Sequence, residues 1–364
     1  MHKLVITSLL LILAILPGRA SATEWQFDGV SRIVAVSDVH GAYDAMVDAF
    51  KAAEIIDNDL AWIGGDSHLV ITGDILDRGP DSRPAMDLLM RLEDEAETDG
   101  GKVHVLIGNH EAMNLVGDLR YVSAGEYAAF AGEEKAEERE RWFGVYGQMR
   151  ASPDQTPEGV ATVFRQKFPE GFFAHRRAFG TDGKYGEWLL DKPAVVVINR
   201  TAFVHGGLSP LIGEIGLDGV NVRLIGEMGL YVQQLEVAYQ ANALLPTDNF
   251  HDHPGLIARF APPLDASHDL LRSIDAIKEL NASDLHSLDG PLWYRGNVVC
   301  SELIEYDKLT ATLEAIGADR VVVGHTPTPG RTVVQRMNGK LVEIDTGMLN
   351  NYYGGSANAL IIDE

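Results

Sequence analysis

Short apolar runs dominated by Val, Ile and Leu recur along the chain, each ending in polar residues or glycine. They are "RIVAVS" (32–37), "HLVIT" (68–72), "KVHVLI" (102–107), "AVVVINRTAFV" (194–204), "RVVVG" (320–324) and "KLVEI" (340–344). Apolar runs of this length without polar alternation predict strands buried on both faces. Between them lie segments of helical periodicity: "YDAMVDAFKAAEII" (43–56), "RPAMDLLMRLEDEAE" (83–97) and "KLTATLEAIGA" (308–318). Strands alternating with helices predict a layered α/β protein.

Two longer segments interrupt the alternation. Residues 114 to 190 contain "EYAAFAGEEKAEERERWFGVYGQMR", where opposite charges three or four apart mark a solvated helix face. Residues 211 to 290 carry "VQQLEVAYQANALL" and then a proline- and histidine-bearing loop in which "HDH" (251–253) reads as solvated. Neither segment reads as an independent domain; both are expected to be helical insertions that roof a site. "NRT" (199–201) and "NAS" (281–283) match the glycosylation pattern, the first inside a predicted strand, and carry no weight.

The first 22 residues differ in kind. Lys3 precedes an apolar stretch from Leu4 to Leu16, Pro17-Gly18 breaks it, and Ala20-Ser21-Ala22 forms a small-x-small cleavage site. A stretch that short does not span a bilayer, which takes about 20 apolar residues. Residues 1–22 are therefore expected to be a signal peptide and residues 23–364 a single catalytic domain. The product is expected to be exported, periplasmic or secreted, without stable membrane association after cleavage. Removing Lys3 and Arg19 leaves 28 basic against 53 acidic residues, a net charge of −25. That field repels nucleic acid and anionic surfaces. The lone Cys300 excludes an internal disulfide and reads as a small buried apolar residue.

Candidate chemistry gathers where the strands end. "VAVSDVHG" offers Asp38 and His40; "VITGDILDRG" offers Asp74, Asp77 and Arg78; "VLIGNHE" offers Asn109, His110 and Glu111. "AFVHGG" offers His205 and "VVVGHT" offers His325. Ligands of open α/β sheets bind in the crevice outside the strand carboxyl ends. Each residue alone has an ordinary explanation as a helix cap, a turn former or a core imidazole; the five strand ends together do not. Carboxylate or amide oxygens with imidazoles, shared between two ions, suit Mn, Fe or Zn. Asp74, between the two sets, is the natural bridging carboxylate. Two such cations about 4 Å apart would acidify a bound water and clamp both ends of an in-line displacement at phosphorus. Arg78 offers phosphate a bidentate fork. Asp77 can orient His110, which can protonate a leaving oxygen.

The series D-x-H, G-D-x-x-D-R-G, G-N-H-E, H-G-G and a late G-H, with "SDVHGAYD", "VHGGLSP", "PLWYRG" and "VVGHT", resembles the phosphoprotein phosphatase branch of the calcineurin-like metallophosphoesterases, and most closely the Shewanella-like protein phosphatases. The resemblance covers essentially the whole mature chain. It implies a fold of two β-sheets sandwiched between helices, around a dinuclear centre. One ion would be held by Asp38, His40 and Asp74, the other by Asp74, Asn109, His205 and His325. His110 with Asp77 would be the acid pair, and Arg78 and Arg295 would grip the phosphate, with Asn109 and His110 also touching substrate. The implied reaction is attack of a metal-bridging hydroxide on a phosphomonoester, either a phosphorylated protein side chain (phospho-Tyr or phospho-Ser/Thr) or a small phosphomonoester. Ser37 stands where many relatives have glycine, and "IDTGMLNNYYGG" matches the tyrosine loop of the family only loosely, so neither Tyr352 nor Tyr353 is assigned. The alternatives are a nucleotide or dinucleoside polyphosphate hydrolase or phosphodiesterase, and a non-catalytic binding module. "GHTPTPG" lacks the second histidine of the diesterase G-H-x-H, and every ligand position is filled.

Overall fold

The structure, a computed structural model, describes residues 25–363 apart from Pro153. The expected signal peptide lies outside the described residues. In chain order the elements begin with β1 (Gln26–Phe27), β2 (Arg32–Val36), α1 (Tyr43–Ala52), β3 (His68–Ile71), α2 (Ser82–Asp99), β4 (Lys102–Val105) and α3 (Asn109–Val116). The first insertion supplies α4 (Ala124–Ala128), α5 (Ala136–Met149), α6 (Pro157–Lys167), α7 (Phe172–Ala178) and α8 (Lys184–Leu189). Then come β5 (Val195–Ile198), β6 (Thr201–Val204) and the second insertion, with α9 (Pro210–Gln240), α10 (His253–Arg259) and α11 (His268–Asn281). The chain finishes with α12 (Gly296–Val299), α13 (Glu302–Ala315), β7 (Arg320–Val323), β8 (Val334–Arg336), β9 (Leu341–Glu343), α14 (Asn350–Tyr353) and β10 (Leu360–Asp363).

The strands form a six-stranded sheet, β1-β5-β6-β7-β9-β8, and a four-stranded sheet, β10-β2-β3-β4. Each central strand splits its apolar run between two cores. Ile33, Ala35, Val70, Val196, Ile198, Phe203 and Val322 fill the layer between the sheets, whereas Val34, Val36, Leu69, Ile71, Val195, Val197, Val321 and Val323 face the helices. Successive strand side chains alternate faces, so a run apolar at every position is what a strand needs when both faces are covered. This is the expected sandwich of two sheets between helices.

The expected strand at 194–204 is instead a hairpin. Asn199 and Arg200 both take positive φ (46° and 58°), and β5 returns antiparallel as β6. Two consecutive residues in that region make the two-residue turn whose twist suits a hairpin. In "NRT", Asn199 and Arg200 therefore lie at a turn, and Thr201 opens β6. α9 is likewise broken, at Gly216 (φ 75°, ψ 172°). "HDH" is not uniformly solvated: His253 is fully buried and bonds the Tyr231 hydroxyl at 2.9 Å, while His251 is exposed beside Asp118. Cys300 is half-exposed at the end of α12. No helix among the described residues is long and apolar enough to cross a membrane.

Candidate metal centre

Five parallel-running strand ends deliver the chemistry: β2 leads to Asp38 and His40, β3 to Asp74, β4 to Asn109 and His110, β6 to His205 and β7 to His325. All seven side chains are buried. The loops that carry them are bent into the left-handed region at Asp38 (φ 46°), His40 (48°), Asp74 (55°), Asp77 (71°), Arg78 (70°) and His325 (68°). That region is unfavourable for residues with a Cβ, and such conformations collect at functional sites where surrounding structure enforces them. Two glycines make the crowding possible. A Cβ on Gly73 would sit 2.6 Å from the Gly108 backbone, and one on Gly324 would sit 2.4 Å from Asp38 Oδ2.

Glu111 enforces the Asp74 loop. Its Oε2 accepts from the amides of Asp74 (2.8 Å) and Gly108 (2.8 Å), and its Oε1 from those of Ile75 (2.8 Å) and Leu76 (3.2 Å). α3 starts at the centre, so the His110 amide donates to Asp74 Oδ1 at 2.9 Å and the positive end of the helix faces that carboxylate.

Asp74 Oδ2 is the hub. It lies 3.3 Å from His205 Nε2, 3.7 Å from His40 Nε2 and 3.9 Å from His110 Nε2. Around it stand two sets with metal-ligand spacing: His40, Asp74 and His110, and Asp74, His205 and His325. His205 Nε2 also meets Asn109 Oδ1 at 2.9 Å and His325 Nδ1 at 3.0 Å. Asp38, which the resemblance implies for the first ion, also adjoins the second set. Both its oxygens accept from the His325 amide, at 3.0 and 2.9 Å, and Oδ2 also from Ser37 Oγ.

These residues fit a pair of divalent cations. His40 and His205 donate Nδ1–H to the carbonyls of Leu76 and Thr72, both at 2.9 Å, which leaves Nε2 of each as the nitrogen able to ligate; His205 Nε2 lies nearest Asp74, and His40 Nε2 accepts from Arg78. His325 Nε2 is buried without a partner. The buried carboxylates strain against one another: Asp38 is pushed well above the usual range by burial and by Asp345, and burial raises Asp345 and Glu111 to about 6 each. Burial would raise Asp74 too, but His205 and His110 outweigh it and hold Asp74 well below the usual range. Cations at the hub would relieve that crowding.

The two arginines expected to grip phosphate sit at the rim. Arg78 Nη1 reaches His40 Nε2 at 2.6 Å, and Arg78 makes no ion pair among the described residues. Its guanidinium carbon lies 5.2 to 5.3 Å from the ring centres of Tyr121, Tyr352 and Tyr353, and Tyr353 stacks on His40 at 5.6 Å and 26°. Arg295, half-buried, lies within the field of Asp74, Arg78 and Asp38. His110 Nδ1 bonds Asp77 Oδ2 at 2.5 Å, and Asn114 Nδ2 holds Asp77 Oδ1 at 2.9 Å. The first insertion is tied to this loop: Tyr121 O accepts from the Arg78 amide, and Glu126 accepts from the Asp77 amide, both at 2.9 Å. Burial, then the Asp77 charge, raise Glu126 to about 7.

Sequence reasoning missed Asp345, Asn114, Tyr121 and Glu126, and left Tyr353 unassigned. Asp345 follows the predicted strand "KLVEI", so the strand-end criterion that found the others would have found it. Ser123-x-x-Glu126 is a legible capping box, and its glutamate caps α4 while also bonding the Asp77 loop.

Residues 31–329 match the calcineurin-like phosphoesterase family. The chain is 34% identical over 213 residues to Shewanella-like protein phosphatase 2 of Arabidopsis thaliana, spanning 56% of this chain and about half (53%) of that relative. It is 24% identical to Shewanella-like protein phosphatase 1 of Plasmodium berghei over 92% of this chain and 72% of the relative. Among solved structures it resembles the cold-active protein-tyrosine phosphatase of a psychrophilic Shewanella species. The TM-score is 0.61 at 27% identity, covering 93% of this chain and 77% of that one.

Proposed function

The chain belongs to the calcineurin-like phosphoesterases, and we propose that it is a metal-dependent phosphomonoester hydrolase acting as a protein phosphatase. Arg78 carries the reading: a guanidinium with no carboxylate partner among the described residues, fixed beside the Asp74 hub. A terminal phosphate dianion is what that fork, together with Arg295, would neutralise. The relatives named as protein phosphatases support a phosphoprotein substrate. The three tyrosines around Arg78 and the resemblance to a protein-tyrosine phosphatase favour phospho-Tyr over phospho-Ser/Thr.

Asp74 would serve both ions, with Asp38 and His40 on one and Asn109, His205 and His325 on the other. Two divalent cations there supply the Lewis acidity that makes water nucleophilic near neutral pH and offset phosphoryl charge; Mn, Fe and Zn all suit the donors. Arg78 and Arg295 bind and orient the phosphoryl oxygens. His110 holds a proton at Nε2 for the leaving oxygen. Asp77 accepts from Nδ1–H and so favours the doubly protonated ring that carries the Nε2 proton, and Asn114 fixes Asp77.

The test is a panel of phospho-Tyr and phospho-Ser peptides, p-nitrophenyl phosphate and bis-p-nitrophenyl phosphate, with purified mature protein and Mn. Phosphate release is expected from the monoesters, fastest from phospho-Tyr. Hydrolysis of the diester alone would replace this reading with that of a phosphodiesterase.

A further inference from the structure

A cavity of about 460 Å³ lies between α5 and α7 of the first insertion and α9 of the second, and shares no lining residue with the Asp74 hub. Its apolar walls come from two different clusters: Trp142 and Phe173 from a small aromatic cluster, Val232 and Leu235 from the main core, with Tyr239 packed against both. Arg176 and Arg177 both line this wall, but Arg176 is buried, with only 8% of it exposed. Nη1 bonds the Asn114 carbonyl, Nη2 lies 3.5 Å from the Tyr239 hydroxyl, and Nε has no partner. Its neighbours differ: Arg139, Arg150 and Arg177 each sit on a carboxylate, Glu134, Asp248 and Glu138 respectively. A buried guanidinium is ordinarily paired. Among the described residues Arg176 has only neutral oxygens as partners.

We propose that this cavity is a second ligand site, taking a small monoanion with an apolar body. Its carboxylate would pair with Arg176, and an aryl or alkyl body would lie between Phe173 and Leu235. The volume is that of a small-molecule site. A monoanion suits better than a phosphate dianion because Glu138, Asp182 and Glu236 also line the cavity. Glu138 and Glu236 are engaged by Arg177 and Thr181, so they do not neutralise Arg176. Occupancy reaches the His110–Asp77 pair in two steps. A carboxylate drawing the guanidinium from the Asn114 carbonyl loosens the turn of α3 whose Asn114 amide holds Asp77. Bound carboxylate therefore lowers kcat and leaves KM unchanged, an effect that rests on the phosphatase reading above.

Binding is tested without activity, by calorimetric titration of the Mn-loaded mature chain with 4-phenylbutyrate and with 4-phenylbutan-1-ol. One carboxylate per chain is expected, bound at least tenfold more tightly than the alcohol and not displaced by inorganic phosphate. Arg176→Gln should erase the tenfold difference and still bind the alcohol. Gln240→Trp, placed at the mouth, should weaken both and serves if Arg176→Gln does not fold. Equal affinity for acid and alcohol overturns the site, as does displacement by phosphate or acid binding unchanged in either folded variant. Binding as expected with no change in kcat retains the site and refutes only its link to Asp77.

Discussion

Glu111 gives the sharpest test of how the centre is built, because one carboxylate holds four backbone amides in a buried place. Glu111→Ala would leave the amides of Asp74, Ile75, Leu76 and Gly108 without an acceptor. Each orphaned buried donor costs about 1–3 kcal/mol, so even the lower bound gives about 4 kcal/mol. With an unfolding entropy of about 2.1 cal/mol/K per residue, that loss lowers Tm by about 6 °C for a chain of about 340 residues. Glu111→Gln has nearly the same shape but keeps only one acceptor oxygen. Its amide nitrogen would then face two backbone donors, on whichever side it lies. Roughly half the loss is expected for it, about 2 kcal/mol or more. Urea unfolding of the metal-free proteins at pH 7 measures both. The Asp74 loop also relaxes from its positive φ once its tether is gone, so phosphatase activity should fall in both variants even below their melting temperatures. A Glu111→Ala variant destabilised by less than about 1 kcal/mol would refute the reasoning, since it would mean that water or rearrangement satisfies all four amides.

Three further outcomes follow from the same geometry. Asp77→Asn removes the acceptor at His110 Nδ1 and should lower kcat about 100-fold or more on p-nitrophenyl phosphate while KM changes little. Arg78→Lys keeps the charge but loses the fork, and a lost charge-assisted bond of about 1.5–3 kcal/mol predicts KM for a phosphopeptide raised about 10- to 100-fold. His175, buried among Tyr127, Phe130 and Phe179, is pushed down by burial to about 3. Its folded value lies below its unfolded value, so stability is full above about pH 6.5 and falls as the pH drops toward 3, because the unfolded chain takes up the proton first. His175→Phe should therefore reduce the slope of unfolding free energy between pH 6 and 4 by about 1.4 kcal/mol per pH unit, and an unchanged slope in urea titrations would contradict the assignment.

How much could be read beforehand differed by kind of information. The core strands were legible because burial on both faces leaves a run of apolar residues, as in Val195–Ile198 and Arg320–Val323. The short strands β1, β8 and β10 were not, since none of them is buried at every position and none carries such a run. The turn between β5 and β6 was hidden because Asn199-Arg200 interrupts apolar sequence for only two residues. Asp38, His40, Asp74, Asn109, His110, His205 and His325 could be gathered because each follows directly on a strand, and sheet topology brings strand ends together. Asn114 and Glu126 act through a residue they touch, four positions along a helix or across an insertion, and no local pattern announces such a contact. Arg176 was equally silent: within "AHRRAFG" nothing separates a buried arginine bonded to neutral oxygens from its neighbour Arg177, which pairs with Glu138.

The two-ion centre built on Asp74 is tested most directly by counting metal. Elemental analysis of residues 23–364 purified in Mn-containing buffer should find two ions per wild-type chain and fewer than one in Asp74→Asn, with circular dichroism showing the variant folded. One ion or none in the wild type, or two retained without the Asp74 carboxylate, would contradict a shared hub.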